Sequence, residues 1–168
     1  MENKTTLNKT TASNIASPAK FSPQILSVDL QLCFALYSTS LSMTKLYKPL
    51  LSKLRLTYPQ YLVLLVLWEK DGITVNSIGE KLFSNSGTLT PLLKRLEKLG
   101  FIQRQRAIDD ERKVLITLTE QGWVLQVQAI DVQTQVACNT GCAPTELLAL
   151  NNQLILLRAN LIKNVTKL

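Results

Sequence analysis

The sequence predicts a mainly α-helical fold carrying one small β-hairpin. Three observations lead there. Apolar residues recur at three- and four-residue intervals over most of the chain, whereas in residues 113–118 the apolar Val114, Ile116 and Leu118 fall at every second position instead. Turn and capping residues punctuate these stretches at Asp71-Gly72, Ser84 to Gly87, Gly100 and Pro144. The 168 residues suit one compact domain, or a domain with an extension, and an apolar content of 46% is enough for a core.

Residues 1–22 hold few core-forming side chains and carry three lysines against one glutamate. This predicts a flexible tail, with a basic arm touching DNA phosphates as its functional alternative. From Ser27 the pattern turns helical. Leu30, Cys33, Phe34, Tyr37, Leu41, Leu46 and Tyr47 predict a long first helix that Pro49 bends or ends. Thr57 to Gln60 reads as a capping box with Pro59 in the first turn, and the apolar helix through Tyr61–Trp68 stops at Asp71-Gly72. A short helix is expected over Val75 to Leu82, then a turn, then a fourth helix ending at Gly100, which suits the left-handed position past a helix end. Pro91 lacks an N–H, so it is expected in the first turn of that helix, placing the start near Gly87 or Thr88.

Two strands, Phe101–Arg106 and Lys113–Leu118, are expected to form a two-stranded hairpin around the charged tip Asp109 to Arg112. Two helices close the chain, residues 120 to about 138 and a second opened by Pro144. In the last, Leu147, Leu150, Leu154, Leu157 and Leu161 are flanked by Leu148, Ile155 and Ile162. So wide a stripe needs a partner: a second copy in a helical dimer, or its own domain. The order helix, helix, short helix, turn, helix, hairpin is that of a winged helix–turn–helix. The predicted organisation is therefore a tail at 1–22, a helical dimerisation region at 23–56 and 120–168, and a DNA-binding winged helix–turn–helix at 57–119.

Charge fits that reading. Nineteen basic against twelve acidic residues leave +7, which makes an anionic partner plausible. Steps of about 100° per residue put Leu89, Leu92, Leu93, Leu96 and Leu99 on one face of the fourth helix. The opposite face carries Thr90, Pro91, Lys94, Arg95 and Lys98, suited to phosphates and base edges in the major groove. Arg112 and Lys113 at the hairpin tip suit a narrow, negative minor groove. Residues 74–113 hold eight basic against five acidic side chains, and a solvated helix face is the plainer account of the same charges.

The chain has no histidine, which removes catalytic triads, Cys-His dyads and His-ligated zinc. Cys33, Cys138 and Cys142 match no common zinc spacing, so neither a metal nor another cofactor is expected. No secretory signal opens the chain, and the longest apolar run is far short of the ~20 residues that span a bilayer. A soluble cytoplasmic protein with reduced thiols and no membrane partner is expected.

Ser86-Gly87-Thr88-Leu89-Thr90-Pro91-Leu92-Leu93-Lys94-Arg95-Leu96-Glu97, Asp110-Glu111-Arg112-Lys113 and Leu118-Thr119 resemble the MarR-type winged-helix regulators. Leu32-Cys33-Phe34-Ala35-Leu36-Tyr37 and Leu56-Thr57-Tyr58-Pro59-Gln60-Tyr61-Leu62 resemble the organic-hydroperoxide-sensing repressors among them, the OhrR type. The resemblance spans about residues 27 to 165. It departs at Ser84-Asn85, where a hydrophobic residue followed by Asp is expected, although Asn85 still suits a helix cap. The resemblance implies DNA contacts from Ser86, Thr88, Thr90, Pro91, Lys94, Arg95, Lys98, Asp110, Arg112 and Lys113.

Cys33 is the candidate sensor, against the plain alternative of a small buried core residue. Tyr37 follows one helical turn later on the same face. Tyr47 lies fourteen residues on, about 21 Å along a straight helix, so it reaches a Cys33 only from a second subunit. The resemblance implies that both tyrosines hydrogen-bond the reactive thiol across a dimer. Phenol donors favour the thiolate, the form that attacks a peroxide and gives a sulfenic acid. The apolar Phe34, Leu36, Leu41 and Met43 suit an organic hydroperoxide, although such residues are core by default. The resemblance further implies that Cys138 of the partner resolves the sulfenic acid as an intersubunit disulfide, with Cys142 a possible additional thiol. Two adventitious surface thiols are the alternative.

The sequence thus predicts a homodimeric repressor, not an enzyme, that binds an inverted-repeat operator when reduced and is released by organic hydroperoxide. Two rivals stand beside it. One is a MarR-type regulator that responds to a small aromatic ligand or drug, with Cys33 structural. The other is a thiol peroxidase.

Overall fold

The computed structural model describes residues 26–106 and 113–165. The expected tail at 1–22 and the wing tip with Asp110 and Arg112 lie outside the described residues. By internal contact the chain falls into two units, Met1–Thr39 and Ser40–Leu168. Within the described residues of the first lie the 3-10 turn Val28–Leu30 and the opening turns of α1 (Leu32–Lys53). The predicted first helix therefore begins only after that turn.

In the second unit α1 continues through Pro49 to Lys53, so the proline neither ends the helix nor stops it early. It removes one intrahelical bond, the one its missing N–H would have made to the Lys45 carbonyl. Arg55, at φ 58°, turns the chain left-handed, and Leu56 N–H donates back to the Leu51 carbonyl at 3.0 Å. Helix α2 (Tyr58–Glu69) starts behind Thr57, whose N–H and hydroxyl both donate to Gln60 Oε1, at 2.9 and 3.0 Å. Tyr61, Val63, Leu64 and Leu67 of α2 are fully buried, so this helix is the centre of the core rather than an amphipathic surface element.

Next come β1 (Ile73–Thr74), α3 (Val75–Leu82) and α4 (Ser86–Lys98). Then follow β2 (Ile102–Arg106), β3 (Val114–Leu118), α5 (Glu120–Asn139) and α6 (Pro144–Val165). The hairpin is wider than the sequence predicts. It is a three-stranded antiparallel sheet in the order β1-β3-β2, with Ile73 opposite Ile116 and Arg104 also opposite Ile116 on the other side. Two residues carry no period, so β1 left no sequence signal; it exists because β3 offers its second edge. Gly100 takes the expected left-handed conformation, at φ 79°.

The start of α5 is seated firmly on the wing. Asp71 Oδ1 accepts from Leu118 N–H at 2.8 Å, Thr119 Oγ1 donates to the Gly100 carbonyl at 2.6 Å, and Gly122 N–H donates to Thr119 Oγ1 at 3.1 Å. Trp68 Nε1 donates to the Gly122 carbonyl at 3.0 Å. A β-carbon at Gly122 would stand 2.2 Å from the Phe101 carbonyl oxygen, so only glycine permits this approach. Helix α6 buries none of its described residues. Leu148, Leu150, Leu154, Ile155, Leu161 and Ile162 all stand exposed, so the alternative in which the stripe packs on its own domain does not hold for the single chain. Arg158 of α6 places its guanidinium 4.5 Å from the centre of the Phe83 ring, beside the turn between α3 and α4. Among the described residues no helix is long and apolar enough to cross a membrane.

Candidate functional site

Helix α4 begins at Ser86, one to two residues earlier than Pro91 alone suggests. The reason is its cap: Asn85 Oδ1 accepts from Thr88 N–H at 2.9 Å, which starts the helix upstream and leaves Pro91 inside it, past the first turn. The cost is the bond to the Gly87 carbonyl. Leu89, Leu93 and Leu96 are buried against the core, while Leu92 and Leu99 are half-buried. This fixes the rotation of the helix. Pro91, Lys94, Arg95 and Lys98 consequently face out, together lining a surface groove that Leu99 closes.

The polar residues near the start of α4 are less free than the sequence suggests. Thr88 Oγ1 donates to Asn85 Oδ1 at 3.1 Å, and Thr90 Oγ1 donates to the Ser86 carbonyl at 2.7 Å. Both hydroxyls thus spend their protons inside the helix and offer outward an acceptor oxygen and a methyl group. Arg104, counted among the basic residues of this region, turns a guanidinium nitrogen toward Glu97 at 3.6 Å. Its charge is therefore directed onto α4. Lys113 is exposed at the base of the wing, and Arg112 and Asp110 fall outside the described residues.

The three thiols are all exposed. Cys33 is thus no member of the core cluster, unlike the plain alternative for it. It occupies the second position of α1, and Tyr37, one turn on, is 62% exposed. Phe34 and Leu41 are exposed and Leu36 and Met43 half-buried, so none of the four is a core residue in the single chain. Cys138 is the penultimate residue of α5, and Cys142 lies in the short connection to α6, its N–H donating to Thr140 Oγ1 at 3.3 Å.

Tyr47 is set differently from Tyr37. It is buried, with its ring centre 4.8 Å from Tyr58 and 5.9 Å from Tyr61. Its hydroxyl donates to Gln133 Oε1 of α5 at 3.3 Å, and Gln133 Nε2 donates to Tyr61 Oη at 2.9 Å. One amide thus bridges two phenols. Burial pushes the Tyr47 phenol up to about 12, reinforced by the neighbouring phenols of Tyr58 and Tyr61 and opposed by the Gln133 bond. Burial also raises Tyr58 and Tyr61. The sequence reading missed Gln133, Tyr58 and Tyr61 as neighbours of Tyr47. A lone glutamine on α5 carries no pattern that could have pointed to them.

Residues 45–126 match the family model of the transcriptional regulators SarA/Rot. An organic hydroperoxide resistance transcriptional regulator of Bacillus subtilis strain 168 is 56% identical over 107 residues, covering 64% of this chain and 73% of that protein. Among solved structures, reduced AbfR bound to DNA is 38% identical with a TM-score of 0.65, covering 80% of this chain and 94% of the other. Disulfide-formed AbfR is 41% identical with a TM-score of 0.57, covering 77% and 91%. What the chain shares with these structures is the fold described above, helices with a small three-stranded antiparallel sheet. The chain belongs to the MarR family of winged-helix transcriptional regulators.

Proposed function

We propose that the protein is a redox-sensing repressor that holds operator DNA as a reduced homodimer and lets go when an organic hydroperoxide oxidises Cys33. The observation that carries this is Cys33 itself, exposed on α1 one turn before the exposed phenol of Tyr37. The similarity to the organic hydroperoxide resistance regulator supports the effector, and reduced AbfR bound to DNA beside disulfide-formed AbfR supports the switch. A core cysteine would need none of this.

The chemistry is balanced as follows. The Cys33 thiolate attacks the terminal oxygen of ROOH; the O–O bond breaks, Cys33 becomes a sulfenic acid, and the departing alkoxide takes up a proton to leave as ROH. Tyr37, and Tyr47 of the partner subunit, donate to the sulfur and favour its ionised form. The thiol of Cys138 of the partner subunit then displaces hydroxide from the sulfenic sulfur, which leaves as water with the thiol proton. The product is an intersubunit disulfide. Two molecules of a small thiol, joined in the process as their own disulfide, restore both cysteines. Closing the bond needs Cα atoms within about 7 Å, so the subunits shift and the two copies of α4 lose the spacing that an inverted repeat demands, about 34 Å between half-sites.

On DNA, Lys94, Arg95 and Lys98 meet phosphates and guanine edges, while Ser86 and Pro91 border the contact. Thr88 and Thr90, with their protons turned inward, present acceptors and methyl groups. These suit a base amino group or a thymine methyl better than a phosphate oxygen, which offers no proton. Lys113, with Asp110 and Arg112 of the wing tip, serves the neighbouring minor groove.

The test is operator binding by gel mobility, with and without cumene hydroperoxide. Cys33→Ser is expected to bind as the native protein does and to ignore the peroxide; an equal response in that variant overturns the sensor. Cys138→Ser is expected to form the sulfenic acid without a crosslinked dimer on a non-reducing gel. A second reading, a regulator responding to an aromatic ligand, is favoured by an apolar cleft between α2 and α5 lined by Tyr61, Leu65, Trp68 and Ile130. Release of operator by phenolic compounds but not by peroxide would select it.

A further inference from the structure

The Tyr47 hydroxyl has a single proton, and in this chain that proton is given to Gln133 Oε1 at 3.3 Å, while Gln133 Nε2 donates to Tyr61 Oη at 2.9 Å. A phenol that gives its proton to an amide carbonyl has none left for a sulfur. The bridge has a second arrangement with the same heavy atoms. If the Gln133 amide turns over, Tyr61 Oη donates to Oε1 and Nε2 donates to Tyr47 Oη. Both amide atoms and both phenol oxygens stay bonded, and the Tyr47 proton is freed for another acceptor. The incoming amide bond also polarises the phenol, which makes it a stronger donor.

We propose that Gln133 is the positioning residue of the sensor, its amide orientation deciding whether the Tyr47 hydroxyl donates its hydrogen bond to Gln133 or to the thiolate of the partner subunit. The proposal rests on the peroxide-sensing reading of Cys33 and Tyr47. Three features of the site support it. Tyr47 is buried with the rings of Tyr58 and Tyr61 packed against it, so the phenol is held in place while its O–H can still turn. The titratable groups bearing on it are the phenols of Tyr58 and Tyr61, so at neutral pH no charge competes for the proton. Gln133 is exposed and sits on α5 five residues before Cys138, on the helix that also carries the resolving thiol. Its amide therefore has the freedom to rotate that the buried Gln60 lacks.

A carboxylate of the same shape accepts but never donates, so Gln133→Glu locks the Tyr47 proton inward. The experiment measures Cys33 oxidation by cumene hydroperoxide in the full-length protein as a function of pH. The variants are Gln133→Glu, Tyr47→Phe and the double substitution. Expected is about a tenfold fall in rate near pH 7 for each single variant, with the pH profile moved to higher pH, and no further fall in the double. A fall on Gln133→Glu that persists in the Tyr47→Phe background would show plain repulsion by the new charge and overturn the proposal. Loss of rate in Tyr47→Phe but none in Gln133→Glu would overturn it too, while leaving the peroxide-sensing reading intact. No effect of Tyr47→Phe would instead remove Tyr47 from the sensor, and Gln133 with it.

Discussion

Tyr47 shows how one side chain can answer to two demands. Its ring fills the core between α1 and α2, and its hydroxyl must still find a polar partner, which α5 supplies through Gln133. The same burial gives a pH dependence whose sign follows directly. The folded phenol ionises only at about 12, against 10.0 when unfolded. Between those values the unfolded chain has lost a proton that the folded chain still holds, so stability is full below pH 10 and falls as pH rises toward 12. Tyr58 and Tyr61 are shifted in the same direction and steepen the fall. Urea midpoints measured at pH 9 and pH 11.5 should drop over this range in the native protein and drop less in Tyr47→Phe. An identical drop in the variant would contradict the burial account.

Helix α4 illustrates how an element is oriented by its least functional residues. Leu89, Leu93 and Leu96 set its rotation through burial, and Asn85 sets its first turn; the cations then have no choice of face. Pro91 breaks one bond within it and the helix persists, because the packed leucines outweigh a loss of about 3 kcal/mol in an isolated helix. Arg95 is exposed and directed away from the core. Arg95→Ala should weaken operator binding, and if its contact is a phosphate the salt dependence, plotted as log K against log salt, should lose close to one unit of slope. An unchanged affinity would take Arg95 out of the interface.

At the scale of the whole molecule, the unburied α6 is the feature a single copy of the chain does not explain. An apolar stripe of this width, left open along a helix of 22 residues, is an aggregation hazard unless something covers it. The proposed homodimer covers it, and it also gives the two copies of α4 their fixed separation. Leu161, exposed on this helix, provides the check. Leu161→Glu should shift the protein from dimer to monomer in sedimentation equilibrium and weaken binding to a palindromic site more than to a half-site. A dimer as stable as the native one would place the interface elsewhere.

Where the sequence reading succeeded, the determining forces are local. Asn85 and Gly100 mark their helix ends because a side-chain acceptor three residues from an amide, or a residue without a β-carbon, acts within one turn. The leucine face of α4 is legible because burial repeats with the helical period. Tertiary structure alone decided the rest. Strand β1 owes its existence to the second edge of β3. The closeness of Gln133 to Tyr47 and Tyr61 arises from three helices meeting across 72 and 86 positions of chain. Contacts of that span depend on how faces pack together, and packing has no period for a sequence to display.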